Sequence, residues 1–213
     1  MFNNLEFGND LLKSGKALPV METFYSIQGE GHMTGKAAWF IRIGGCDIGC
    51  RWCDVKESWN AKIHPLVKIE DILKQIAENP SKTVVVTGGE PLLYNLNYLC
   101  EELKKQNINI CLETSGSQEH TGSFDWICVS PKPGFESRKD MLLMADELKV
   151  IIEKPEDFQW AEENSRKVKQ KCLLYLQPEW SKYNKILPLV VDYVKQSPKW
   201  RISLQAHKFM NIP

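Results

Sequence analysis

The chain has 213 residues, 43% hydrophobic and 25% charged, the composition of an ordinary globular protein with room for one sizeable core. Lys plus Arg and Asp plus Glu number 27 each, so the zero net charge offers no general surface for nucleic acid or an acidic membrane. The first twenty residues lack the charged start, apolar stretch and small-residue cleavage site of a secretion signal. Apolar runs such as Ile186 to Val191 fall far short of the roughly 20 residues that cross a bilayer. The expectation is a cytoplasmic protein with neither nucleic acid nor membrane as partner.

In chain order, Ala38 to Ile43 (AWFIRI) is a β-branched and aromatic run closed by Gly44-Gly45, which predicts a strand. Ile69, Ile72, Leu73 and Ile76 follow helical spacing. Thr83 to Thr87 (TVVVT) reads as a buried strand closed by Gly88-Gly89, and Leu96, Leu99, Cys100 and Leu103 return to helical spacing. Ile108 to Glu113, Phe124 to Val129, Leu148 to Ile152, Leu173 to Gln177 and Trp200 to Leu204 continue the strand series. Helices are predicted near 156–168 and 182–196, the second weakened by Pro188. This alternation implies an α/β fold with a parallel sheet and covering helices. Six or seven strands are too few for an eightfold barrel. The polar motifs fall at the carboxyl ends of the strands, where parallel α/β folds bind ligands.

Seven cysteines are present. Cys100, Cys111, Cys128 and Cys172 lie singly in apolar stretches and read as core. Cys46, Cys50 and Cys53 crowd one loop, which points to a metal site in a reducing compartment and away from a disulfide framework. Three thiolates can hold a [4Fe-4S] cubane with one iron open, and an open iron can chelate a small molecule through an amine and a carboxylate. Zinc would want a fourth ligand at short spacing, for which His64 is the nearest candidate. The cysteine spacing alone leaves both metals open. Thr87-Gly-Gly-Glu90-Pro91 decides between them, because a Gly-Gly pair after a buried strand lets a ligand approach the main chain, with the Glu90 carboxylate beside it. Cysteine triad and GGEP together resemble the radical S-adenosylmethionine superfamily.

More closely, the chain resembles the 7-carboxy-7-deazaguanine synthase family from Phe24 to its end. The resemblance rests on Ser26-Ile27-Gln28-Gly29-Glu30-Gly31, Cys53-Asp54, TGGEP, Glu113-Thr-Ser-Gly116, Ser130-Pro131-Lys132, Gln177-Pro178, and the ending from Trp200 through His207 to Pro213. It implies a single domain over 1–213, a partial (β/α) barrel of about six parallel strands of the radical SAM type. The cluster loop would occupy 44–55, and a segment of about 200–213 would close over substrate. The implied reaction converts 6-carboxy-5,6,7,8-tetrahydropterin to 7-carboxy-7-deazaguanine with loss of ammonia, for queuosine and other 7-deazapurines. The cluster reduces the sulfonium, the resulting 5′-deoxyadenosyl radical takes the pterin C6 hydrogen, the ring contracts and the hydrogen is returned.

The residue roles that follow are those the resemblance implies. Cys46, Cys50 and Cys53 hold the cluster and, with Glu30, make the catalytic set. Ile27, Gln28, Gly29, Glu30, Arg42, Thr87, His207 and the terminal carboxylate of Pro213 contact substrate, Arg42 through the substrate carboxylate. Trp52, Cys53, Asp54, Gly88, Gly89, Glu90, Glu113, Ser115, Ser130, Pro131, Lys132, Gln177, Pro178, Glu179 and Trp180 contact S-adenosylmethionine. Glu179-Trp180 departs from the family's usual residues. So does Val55, which stands where a Thr or Ser hydroxyl commonly helps bind Mg²⁺. The resemblance also implies a homodimer reduced by a flavodoxin or ferredoxin. Two rival readings are an activase that makes a glycyl radical in a partner protein, which shares the cysteine spacing, and a non-catalytic zinc-binding protein.

Overall fold

A computed structural model describes residues 4–78 and 80–213. The chain divides into two compact units, each built from segments distant in sequence. The first comprises residues 1–26, 37–114 and 118–125, and the second residues 27–36, 115–117 and 126–213.

The first unit contains α1 (Asn4–Lys13), β1 (Ala17–Ile27), β2 (Ala37–Ile43), β3 (Leu66–Lys68), α2 (Ile69–Ala77), β4 (Thr83–Gly88), α3 (Asn97–Lys105) and β5 (Asn109–Thr114). Its strands run in the order β3-β1-β2-β4-β5. β1 and β3 are antiparallel, whereas β2, β4 and β5 are parallel neighbours. Val84, Val85 and Val86 are buried on both faces of β4, as the continuous apolar run predicts for a covered parallel strand. α2 buries Ile69, Ile72 and Ile76, and α3 buries Leu99, Cys100 and Leu103. Each such side chain contributes about 1.5–3 kcal/mol of transfer free energy.

The second unit contains β6 (Trp126–Val129), α4 (Lys139–Met144), β7 (Glu147–Ile152), α5 (Asp157–Ser165), β8 (Leu173–Pro178), α6 (Tyr183–Gln196), β9 (Trp200–Ile202) and α7 (Ala206–Met210). Its strands lie in chain order, all parallel. α6 runs through Pro188 and holds by burying Ile186 and Val190 on either side of it. The four scattered cysteines are buried, as expected of core residues, and none of the seven cysteines forms a disulfide. Among the described residues no helix is long and apolar enough to cross a membrane.

Candidate active site

In the first unit, β2 and β4 pair with Arg42 beside Thr87 and Ile43 beside Gly88. The hydrogen bonding continues past both strand ends. Gly89 N–H donates to the Ile43 carbonyl at 2.9 Å and Glu90 N–H to the Gly45 carbonyl at 2.8 Å. Tyr94 Oη donates to the Gly44 carbonyl at 2.9 Å. Gly45 and Cys46 amides donate to the Ser58 and Trp59 carbonyls at 2.6 and 3.1 Å. Cys46 therefore leaves a fixed frame, while Cys50 and Cys53 share a turn closed by the Cys53 N–H on the Cys50 carbonyl at 3.0 Å. The GGEP backbone lies so close to this loop that a Cβ on Gly89 would stand 2.1 Å from the Gly45 oxygen and 3.0 Å from Cys46 Cβ.

The donor chemistry fits an iron-sulfur cluster. All three thiols are half-buried on one loop. Burial pushes the Cys46 thiol up; the Ile48 and Gly49 amides oppose this, and the charges of Glu90 and Asp47 add to it. A thiolate there needs a cation such as iron beside it. Trp59, whose carbonyl holds the Cys46 amide, also carries a buried indole N–H with no partner, a donor of the kind cluster sulfurs accept. Among the described residues, no three His, Cys, Asp or Glu side chains stand gathered to hold a metal ion. His64 does not complete a zinc set: its Nε2 donates to the Glu57 carbonyl at 2.8 Å and its ring packs on Gly44. Mg²⁺ finds no oxygen on the Val55 side chain, and the Val55 carbonyl already accepts from the Ser58 amide and hydroxyl.

Glu90 is fully buried. Its Oε1 accepts from the Leu92 amide at 3.2 Å and from Thr114 Oγ1 at 2.6 Å. On the neighbouring strands Thr87 Oγ1 donates to Glu113 Oε2 at 2.9 Å. Arg42 Nε bonds Glu22 Oε1 at 2.7 Å, and its guanidinium lies over Phe24.

In the second unit, residues 27–36 form a closed loop. Gln28 N–H donates to the Lys36 carbonyl and Gly35 N–H to the Gln28 carbonyl, both at 2.8 Å, while the Gln28 Oε1 accepts the Glu30 amide at 3.1 Å. The C-terminal segment is bound to this loop. Ala206 N–H donates to the Gly29 carbonyl at 2.9 Å, Gln205 Nε2 to Glu30 Oε1 at 2.9 Å, and a Cβ on Gly29 would strike His207 Nδ1 at 2.2 Å. Ser203 Oγ accepts from the Gly31 amide at 2.9 Å and donates to Gln177 Oε1 at 2.7 Å. Lys149 Nζ pairs with Glu30 Oε2. Burial pushes the Glu30 carboxyl up, but the Lys149 charge and hydrogen bond, the Gln205 bond and the His207 charge outweigh it and hold it at about 2.

Among the other expected contacts of this unit, Lys132 Nζ donates to Ser130 Oγ at 2.7 Å, and the Ser115 carbonyl accepts from Ser137 Oγ at 2.7 Å. Pro131 and Pro178 are buried. Glu179 caps its own turn, accepting from the amides of Ser181 and Lys182. Trp180 packs with Tyr183 and Phe209, under the Lys208 ammonium. Pro213 ends the segment that follows α7 and is exposed.

Tyr94, Thr114, Lys149, Ser203 and Gln205 were not predicted. Only Lys149 left a local trace, as a lone charge inside the apolar strand run LKVII.

A half-buried three-thiol loop braced against a strand-ending GGEP defines the class. Residues 40–126 match the radical SAM superfamily profile, and the chain is a radical SAM enzyme. Over its length it is 52% identical to a protein of Flavobacterium psychrophilum named 7-carboxy-7-deazaguanine synthase, covering 95% of this chain and 96% of that one. A protein of the same name from Synechocystis sp. is 44% identical over 91% of this chain and 93% of its own. The crystal structure of QueE from Escherichia coli superposes with a TM-score of 0.81 at 30% identity, covering 93% of this chain and 98% of that chain. The chain belongs to the 7-carboxy-7-deazaguanine synthase family. Its fold class is the α/β partial barrel of the radical SAM type that the sequence implied.

Proposed function

We propose that this chain converts 6-carboxy-5,6,7,8-tetrahydropterin into 7-carboxy-7-deazaguanine with release of ammonia. The observation that carries the reading is the 27–36 loop, where Gln28 is buried and Glu30 is held as an ionised acceptor under the C-terminal segment. An amide and a carboxylate at fixed positions suit a pterin edge that carries several donors and acceptors.

When bound, the cluster and S-adenosylmethionine supply the radical that takes the substrate hydrogen. The protein's part is to bind, orient and seal. Cys46, Cys50 and Cys53 hold the cluster. By the family resemblance, Gly89 and Glu90 would contact S-adenosylmethionine, and Ser130, Lys132 and residues 177–180 carry the same assignment. Arg42 pairs with Glu22 through Nε, and the two terminal nitrogens of its fork suit the substrate carboxylate. His207 and the Pro213 carboxylate cover the substrate, and packing of Gly29 against His207 supports that role. Val55 brings no side-chain oxygen, so Mg²⁺ would be held by substrate, water and main chain, or this chain depends on it less. The same reading takes the chain as a single catalytic domain, a cytoplasmic homodimer reduced by a flavodoxin or ferredoxin.

The test is anaerobic incubation with carboxytetrahydropterin, S-adenosylmethionine and a reductant. A deazaguanine chromophore and ammonia are expected. Reductive cleavage of the cofactor without that product would defeat the assignment and leave the superfamily standing.

A further inference from the structure

Lys149 lies in the middle of β7 and is only 5% exposed. Its place in an apolar strand calls for a reason. Burying an ion pair seldom adds stability over a well-packed apolar residue, whereas breaking one after it has formed is costly. A Met or Leu at 149 would serve the core at least as well. What an apolar residue would not do is reach Glu30, whose Oε2 takes the Lys149 ammonium although the two residues are far apart in sequence.

The surrounding groups give the pair a direction. Glu147 and Lys149 lie two residues apart on β7 and so point to the same side of the strand. Both grip the 27–36 loop: Glu147 Oε2 accepts the His32 amide at 3.1 Å and the Trp126 indole N–H at 3.2 Å, with the His32 ring stacked on Trp126. From the C-terminal segment, Gln205 donates to the other Glu30 oxygen, His207 adds its charge, and Lys208 Nζ donates to Gln205 Oε1 at 3.0 Å. A carboxylate has about four lone-pair sites. Lys149 and Gln205 use one on each oxygen, leaving one on each for a pair of adjacent donors, such as a ring N–H and the exocyclic amine beside it.

We propose that Lys149 is a positioning residue, fixing the Glu30 side chain in one orientation and as a carboxylate so that it accepts a donor pair from the substrate ring. The inference rests on the pterin reading above for the identity of that ring, but not for what Lys149 does to Glu30.

The experiment uses the cluster-loaded full chain and compares wild type with K149M, K149R, E30Q and K149M/E30Q. The Glu30 carboxyl carbon is followed by NMR in ¹³C-glutamate-labelled protein, its resonance assigned by its loss in E30Q. In wild type and K149R it stays ionised from about pH 8 down to about pH 4, whereas in K149M it titrates above the ordinary carboxylate range, because burial is then opposed only by the weaker Gln205 bond and His207 charge. K149M also loses about tenfold or more in carboxytetrahydropterin affinity at neutral pH, regained in part as pH rises. Its S-adenosylmethionine affinity stays within about twofold of wild type. Adding K149M to E30Q costs little further pterin affinity, because Lys149 acts through Glu30. Identical Glu30 titration in wild type and K149M overturns the inference, as does a K149M loss undiminished in the E30Q background. Failure of K149R to keep Glu30 ionised also overturns it. Wild type that binds no pterin defeats the functional reading alone, since the titration still decides what Lys149 does.

Discussion

Thr114 Oγ1 donates to Glu90 Oε1 at 2.6 Å, joining the end of β5 to the GGEP turn after β4 through a carboxylate with no exposed surface. The same oxygen accepts the Leu92 amide, so the hydroxyl helps fix the carboxylate beside the cluster loop. T114V removes the donor and leaves a buried charge less satisfied, at a cost of about 1–3 kcal/mol. Urea unfolding should show that loss, and titration should show weaker S-adenosylmethionine binding. Unchanged stability and affinity would remove Thr114 from the site.

Gly89 leaves no room for a side chain between GGEP and the cluster loop. A methyl at 89 would stand 2.1 Å from the Gly45 oxygen, a main-chain atom that cannot rotate away. G89A should therefore fold but reconstitute with less iron than wild type, read by iron analysis and absorbance. Full iron loading would show that the loop tolerates displacement.

Ser203 ties Gly31 in the expected substrate loop to Gln177 in the expected cofactor turn, and it is 2% exposed. S203A orphans the Gly31 amide and one Gln177 acceptor, costing about 1–3 kcal/mol. Denaturant unfolding measures this directly, and S203C, which keeps a weak donor, should lose less.

The Glu30 carboxyl has an ordinary value of 4.5 and is held at about 2 in the fold. The folded state thus favours the carboxylate. Its contribution is fully present above about pH 4.5 and disappears as pH falls toward 2. With its side chain 16% exposed, the contribution is on the order of 2–3 kcal/mol. Stability measured at stepped pH should fall more steeply through this window in wild type than in E30Q. Parallel curves would contradict the pairing.

The parallel strands were legible because β-branched runs such as TVVVT end in Gly-Gly and are covered on both faces, so composition alone marks them. β1 was missed: Ala17–Ile27 contains Pro19 and polar residues and is only part-buried beyond Val20, which blurs its pattern. Phe124-Asp125 looked like the start of β6, but Asp125 Oδ2 instead accepts the Ile110 amide at 2.7 Å and the strand begins at Trp126. The cysteine triad and GGEP were legible because their chemistry is carried by spacing. Lys149, Ser203 and Gln205 were not, because their partners Glu30 and Gly31 lie 119 to 175 positions away in sequence. No local pattern can record a contact of that span.

The reduced, anaerobically reconstituted chain should carry about four irons and give a reduced-cubane EPR signal that changes when S-adenosylmethionine is added, with both lost in C46A, C50A and C53A. Colourless protein carrying about one zinc, or a cubane signal indifferent to the cofactor, would contradict that expectation.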